Sequence, residues 1–523
     1  MKFAKHISNK LTPQSAPIPG SGQVPNSAGG YTWTIDPWAL VDRFLILGTE
    51  GGTYYISEQK LTRDHAANLI ECIKLDGNRV VNRIVEISQA GRAPKNDGAI
   101  FALALCAAFG ETETRQAAFE ALPKVCRIGT HLFQFIAECE ELRGWGRGLR
   151  KAVARWYADT PADELTYQAI KYQQRGGWSH RDLLRLSHPK PPTEAHKSLF
   201  KWIVDDEFIG ENQRLEAFLK LVRCETAKEA AQIILDNRMP RECVPTQLLN
   251  EPEVWDALLA DMPLKAMIRN LANMTRCGLL KPGSAGTKTV LRELENAERL
   301  EKARVHPIAL LLAQSTYASG HGMRGQHAWN PVPKIVDALD DAFYLAFGAV
   351  KPTEQRYLLG VDVSGSMSQF TVAGTPLSAC EAATAMAMVT MATEESVTPM
   401  AFSDKFRPLR LTPKMRLKDA LRHTQDINFG GTDCALPMLY ALEERLEVDV
   451  FVVYTDNETW AGQMHPSQAL KLYRDRMGIP AKMIVVGLCS NGFTIADPKD
   501  PGMLDVVGFD TSVPQAMREF AVG

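Results

Sequence analysis

From residue 357 onward, short β-branched-rich runs recur at 357–363, 397–402, 448–454 and 482–488, each separated from the next by a helix-length segment. This alternation constrains the chain more than any other feature. Parallel strands cannot be joined by a tight turn, and their crossover helices must cover both faces of the sheet. Residues 355–523 are therefore expected to form a doubly wound α/β domain. Its clearest helices are read at 377–393, 414–424, 466–477 and 514–520.

Before residue 350 the grammar is helical. Asp36-Pro37 supplies an N-cap and a proline for the first turn, and Gly48 stands where a C-terminal cap belongs, so a helix is predicted from 37 to about 47. The same signals recur at Thr62 ahead of a run to Leu75, at Asp76 ahead of 80–87, and at Thr160-Pro161 ahead of Leu165 and Ile170. No strand-like alternation of useful length interrupts them. Residues 31–350 thus read as a long array of antiparallel helix pairs, although no clean repeat period emerges. Residues 1–30 read as a flexible lead-in, since the Pro, Gly and Ser of 11–30 bury too little to order themselves.

A chain of 523 residues exceeds one hydrophobic core, and its 45% hydrophobic and 23% charged residues are those of an ordinary globular protein. The ten cysteines stand singly, without the spacings of a zinc or disulfide framework. Residues 1–30 lack a signal-peptide core and no later run has membrane length, so a cytoplasmic protein without membrane contact is expected. The net charge of −2 conceals an asymmetry. Residues 143–201 alone hold 12 Lys and Arg against 5 Asp and Glu, with His180, His188 and His196 in addition.

Two constellations carry chemistry. The first begins at the end of the first strand, where Asp362-Val363-Ser364-Gly365-Ser366 places a carboxylate and two hydroxyls on a loop at the sheet's carboxyl edge, the edge at which such sheets bind ligands. Downstream, 429–433 is a glycine loop presenting Thr432, and Asp456 closes another strand. Hard divalent cations favour such oxygen-only donors, and few carboxylates with several hydroxyls suit Mg²⁺. Read alone, the first loop is equally a serine-capped turn. Together, Asp362, Ser364, Ser366, Thr432 and Asp456 resemble the metal-ion-dependent adhesion site of von Willebrand factor A domains. That resemblance implies direct or water-mediated ligation by the hydroxyls, aspartates completing the shell, and an open position for a ligand carboxylate.

The second constellation is the basic segment. Residues 167–190 read as helix, glycine turn and helix, with Ser179 capping the second helix and Asp182 at its third position. Lys171, Arg175, Arg181, Arg185, His188 and Lys190 fall on the exposed side. A charge run is ordinarily a solvated face, but basic groups beside Tyr172 and Trp178 also suit single-stranded nucleic acid. Trp178 is expected in the core between packed helices.

Residues 171–188 resemble the central signature of the TROVE module of the Ro autoantigen ribonucleoproteins. The blocks 91–97, 128–131 and 144–147, His306-Pro307 with Tyr317, Gly320 and 322–325, and the order of the two domains extend the resemblance over nearly the whole chain. It implies HEAT-like helical repeats bent into a ring within one monomer and closed by the von Willebrand A domain. It further implies small noncoding Y RNAs on the outer surface, single-stranded ends of misfolded RNAs in the central hole, and a role in RNA quality control or decay. The family's Y RNA-contacting surface carries over to Lys171, Arg175 and His188, and Arg181 and Arg185 join it on electrostatic grounds. Arg127, His131 and Arg147 are hole-side candidates. A bacterial member is expected to act with an exoribonuclease tethered through a Y-like RNA.

Two other readings stay open. In one, the chain is an intracellular von Willebrand A scaffold that grips an acidic protein ligand through its metal and binds no RNA. In the other it is a metal-dependent phosphoesterase, which needs a base that the chain does not offer. His423 lies on a predicted helix, His465 reads as a surface loop residue, and Ser364 has no evident histidine partner. No catalytic residue is therefore expected.

Overall fold

The computed structural model describes residues 11–48, 58–322, 327–348, 350–372, 375–413, 415–425, 430–510 and 512–523. Phe429 of the glycine loop, Lys414 at the start of one predicted helix and residues 323–325 lie outside that set.

The first ordered segment corrects the expectation of a flexible lead-in. Residues 24–25 (β1, Val24–Pro25) pair antiparallel with Tyr31–Thr34 (β2). Before them Gln14 is fully buried against loops of the C-terminal domain. Its amide donates to Asp433 Oδ1 and the Met464 carbonyl, both at 2.8 Å, while its oxygen accepts from the Thr459 hydroxyl and the Gly462 N–H. Gly462 leaves no room for a Cβ beside that amide. The segment orders by exchanging hydrogen bonds with another part of the chain, which does not register in a composition poor in apolar residues.

The helix Pro37–Leu47 follows as expected, with the Asp36 carboxylate accepting from the Trp38 and Ala39 N–H groups. The two helices read on either side of Asp76 are one element, Glu58–Ala90, broken at Asp76 (φ −156°, ψ 81°), where the Asp76 carboxylate accepts from Arg79 N. The first half starts ahead of Thr62. Helix then follows helix to Pro333–Leu345.

One element the helical grammar hid is a hairpin of Gln174–Arg175 (β3) and Trp178–Ser179 (β4). Gly176 (φ 59°) and Gly177 (φ 82°) form its two-residue loop. Two successive positive φ angles are the turn that suits the right-handed twist of a hairpin.

The strands of the C-terminal domain are Arg356–Asp362 (β5), Ser396–Phe402 (β6), Phe406–Pro408 (β7), Val450–Thr455 (β8), Lys482–Gly487 (β9), Phe493–Thr494 (β10) and Met503–Val507 (β11). Six form one sheet in the order β11-β9-β8-β5-β6-β7, all parallel except β7 at the edge. The parallel sheet is as expected. The reading omitted β7, β11 and the helix Leu436–Glu443, since β7 is only three residues long and β11 is interrupted by an aspartate. β10 pairs with β2 and ties the amino-terminal segment to this domain.

Side chains alternate between the two faces. Leu359, Val361, Val452, Tyr454, Ile484 and Val486 join a core continuous with that of the helical region, whereas Leu358, Phe451, Val453, Met483 and Val485 form a second core beneath the helices Leu436–Glu443 and Pro466–Met477.

Both ends of the helical array dock on this domain. At the start, Arg43, 1% exposed, reaches Asp505 of β11 with two bonds of 2.8 and 2.7 Å and also faces the Cys489 carbonyl. At the end, Phe343 and Phe347 meet the Phe509 ring, and Arg416 pairs with Asp337. The array also closes on itself. His306 Nε2 meets the Arg92 carbonyl at 3.1 Å, and the Arg92 guanidinium pairs with Asp510 of the C-terminal domain.

Candidate metal centre and nucleic-acid interface

β5 and β8 are neighbours in register, Val361 opposite Tyr454, so their carboxyl ends bring Asp362 and Asp456 to one edge. Asp362 Oδ1 accepts from the Ser364 N–H (2.9 Å), and Oδ2 accepts from the Thr455 hydroxyl (2.8 Å). The Ser364 and Ser366 hydroxyls lie 3.1 Å apart. Asp456 Oδ1 accepts from Glu458 N, but Oδ2 is buried without a hydrogen-bond partner. Thr432 sits on a loop pinned to the one following Asp456, its carbonyl accepting from Trp460 N and Ala461 N at 3.0 Å. All five residues are buried.

Burial raises both carboxyls. Asp362 is pushed up to about 7 by desolvation and then by the Asp456 charge, and Asp456 is raised by desolvation. Two buried like charges, one with an orphan oxygen, are unfavourable unless a cation joins them. The donor set, two carboxylates and three hydroxyls, fits a hard divalent ion.

Glu458 was missed as part of this centre. Desolvation and the Asp456 charge push its carboxyl up to about 7, and its Oε2 accepts from Ser27 N and Ala28 N. The amino-terminal segment therefore braces the loops that carry the site. His465 is likewise corrected. It is fully buried, with Nε2 2.8 Å from the Ala16 carbonyl, so the lead-in that seemed flexible is what covers it.

The basic residues divide into two groups. The Ser179 capping box forms as read, fixing the helix His180–Ser187 behind the hairpin. Arg175 projects from the hairpin, Arg181 and Arg185 from that helix, and His188 ends it in a left-handed conformation (φ 50°); all four are exposed. Lys171 is half-buried, its ammonium 3.2 Å from the Tyr167 hydroxyl and 5.3 Å from the Tyr172 ring centre. Trp178 is half-buried rather than in the core, stacked on Trp145 at 6.4 Å. The hairpin holds it at the surface.

The second group lies where the array closes. Arg127, bonded to Ser88, is lowered from the usual guanidinium range by burial and by Arg304. His131 is lowered to about 4 by burial, by Arg127 and, more weakly, by Arg175 and Lys265. Lys265 is lowered to about 8 by its protein surroundings and by Arg127, Arg269 and Arg304. Lys265, Arg269 and Arg304 are open to water. Being open to water yet surrounded by protein is what a concave wall produces. None of the four strongly basic groups has a carboxylate partner among the described residues. Arg304 also holds a left-handed conformation (φ 49°), a local cost that surrounding contacts must sustain. Arg147 stands exposed at the first turn of Arg147–Asp159 and makes no hydrogen bond or ion pair with either group among the described residues.

Comparison with known proteins matches these two regions to two family models. The TROVE domain covers residues 24–218 and 231–316, and the Ro60 vWA domain covers residues 356–521. The chain belongs to the Ro60 family. It is 43% identical over 508 residues to the RNA-binding protein RO60 of Deinococcus radiodurans, covering 96% of each chain. It is 36% identical over 596 residues to the RNA-binding protein RO60 of Caenorhabditis elegans, covering 98% of this chain and 92% of that one. The crystal structure of the D. radiodurans RO (RSR) protein superposes with a TM-score of 0.70, covering 93% of this chain and all of that one.

The TROVE match begins at residue 24, inside the segment read as a lead-in, consistent with β1 and β2 being part of the fold. Ro60-family membership makes this an RNA-binding type of chain with a mostly helical region before its von Willebrand A domain. Among the described residues no helix is long and apolar enough to cross a membrane. Lys265, Arg269 and Arg304 escaped the sequence reading. They fall outside the charge-dense segment, and only the closure of the array sets them beside Arg127.

Proposed function

We propose that this chain is a non-enzymatic, cytoplasmic RNA-binding ring that engages RNA on two faces. Small noncoding Y RNAs lie along Lys171, Arg175, Arg181, Arg185 and His188, and unpaired ends of misfolded RNAs enter the concave wall of Arg127, Lys265, Arg269 and Arg304, with His131 beside it. Its role is noncoding-RNA quality control or decay, with an exoribonuclease held through the Y RNA. The observation that carries the reading is the inner cluster: Lys265 and Arg269 from one helix and Arg127 and Arg304 from two separate turns converge, with no carboxylate partner among the described residues. Such a field is unfavourable in the free protein and is relieved by a phosphate backbone.

The von Willebrand A domain is proposed to hold a divalent ion, Mg²⁺, through Asp362, Ser364, Ser366, Thr432 and Asp456. When bound, that ion supplies a positive charge and an open coordination position. The chain's own part is to hold the hydroxyls and carboxylates in place, with Thr455 and the Ser364 N–H orienting Asp362.

The test is Lys171→Ala combined with Arg175→Ala. Affinity for a structured small RNA is expected to fall with an unchanged melting temperature, because both side chains are at the surface or half-buried, and the salt slope to shrink by roughly 0.7 to 0.9 for each lost phosphate contact. An equal loss from a charge swap on a distant acidic helix refutes the assignment.

A further inference from the structure

Between the helices Leu264–Arg276 and Pro307–Ser319 lies a cavity of about 420 Å³. Its walls are of two kinds. Ile268, Leu271, Leu312 and Trp329 make an apolar chamber, while Lys265 and Arg269, one helical turn apart on a single face, line the same space. The volume falls within the roughly 300–1,000 Å³ usual for small-molecule sites, and an apolar chamber with a few convergent polar groups is the usual composition of one.

Trp329 is the most telling lining residue. Its ring lies nearly parallel to that of Tyr317 (centres 6.4 Å apart, 17° between planes), and its indole N–H donates to the Tyr317 carbonyl at 2.9 Å. Tyr317 is itself fixed, its hydroxyl meeting the Thr275 hydroxyl at 2.8 Å and Val332 N at 3.2 Å. The aromatic pair is thus a rigid platform, and Trp329, only partly covered, suits a further planar ring. Lys265 and Arg269 have no acidic partner among the described residues, and Arg127 and Arg304 add to their field. A neutral apolar ligand leaves those cations unanswered, and a bare anion leaves the chamber unfilled. A planar heterocycle bearing phosphate satisfies both.

We propose that this cavity is a nucleotide pocket, with the base in the chamber against Trp329 and the phosphate against Lys265 and Arg269. The nucleotide is either free or the unpaired end of an RNA strand. The proposal sharpens the inner-face reading above, but its first test uses no RNA.

The full chain is titrated calorimetrically with AMP, UMP, adenosine and ribose 5-phosphate. AMP and UMP are expected to bind saturably, and adenosine and ribose 5-phosphate each at least about tenfold more weakly, since each keeps half of the recognition. Lys265→Met with Arg269→Gln, and separately Trp329→Ala, should each weaken AMP binding by about tenfold or more. Ribose 5-phosphate binding as tightly as AMP, or AMP binding unchanged in both variants, overturns the pocket. Ala309→Phe fills the cavity from its wall and should abolish AMP binding. If that variant misfolds by circular dichroism, the Trp329→Ala result decides alone.

The source is assigned with a single-stranded oligonucleotide carrying a normal or an abasic 3′-terminal residue. A loss of about tenfold or more at the abasic end places an RNA terminus in the pocket, and equal binding assigns the pocket to free nucleotide. If AMP binds while no RNA does, the RNA reading fails and the pocket stands. If RNA binds while no nucleotide does, the reverse holds.

Discussion

In the C-terminal domain the charges of the candidate site are buried and largely answered from within: Asp362 by Ser364 and Thr455, Glu458 by Ser27 and Ala28, and only Asp456 Oδ2 left over. Across the seam, in the helical array, Lys265, Arg269 and Arg304 lie open to water beside Arg127, with no carboxylate partner among the described residues. The first arrangement suits one small cation held in a rigid shell. The second suits a long anion that replaces water along a surface. One chain therefore carries a site that must be preorganised and a face that need only present charge.

The largest expected effect tests the rigid site. Asp362→Ala removes one of two carboxylates and should abolish saturable Mg²⁺ binding by calorimetry; unchanged affinity breaks the proposed coordination. Arg43→Met comes next. It leaves Asp505 without its buried partner at the joint between the regions, and unfolding by denaturant should show a loss of about 3 kcal/mol. Lys265→Met, on the open face, should cost no stability, and a comparable loss there would erase the contrast.

Gln14→Ala is expected to cost about 1–3 kcal/mol, because the Thr459 hydroxyl and the Met464 carbonyl lose their buried partner. Hydrogen exchange at residues 458–464 should rise with it, and unchanged exchange would mean that the segment merely lies on the domain. The smallest effect is a pH dependence. Lys265, lowered to about 8 by its surroundings and by Arg127, Arg269 and Arg304, carries full charge below that value and loses it above. Single-strand affinity should therefore decline a few-fold as pH rises through about 8, while Lys265→Arg holds it level, since a guanidinium does not titrate there. Identical profiles for both proteins would remove Lys265 from the face.

The same contrast explains what could be read from the chain. The meeting of Asp362 and Asp456 at one edge was legible because β5 and β8 end at defined residues and the parallel sheet dictates that their carboxyl ends lie together. Helix boundaries such as Asp36-Pro37 to Gly48, and the cap at Ser179 and Asp182, were legible because they are local. The amino-terminal segment was not, since Gln14 orders through partners more than 400 positions away. The burial of His465 followed from that segment and was hidden with it. The inner face was illegible for a related reason. Arg127, Lys265, Arg269 and Arg304 belong to no single motif, and closure of the array, with His306 on the Arg92 carbonyl and Arg92 on Asp510, brings their segments together.

The most direct test of the account is the salt dependence of single-stranded RNA binding by the wild-type chain and by a variant carrying Arg127→Gln, Lys265→Gln, Arg269→Gln and Arg304→Gln. Log affinity should fall linearly with log salt for the wild type, and the slope should shrink by roughly 0.7 per cation removed from phosphate contact. Equal slopes in the two proteins, or no saturable binding by the wild type, would contradict it.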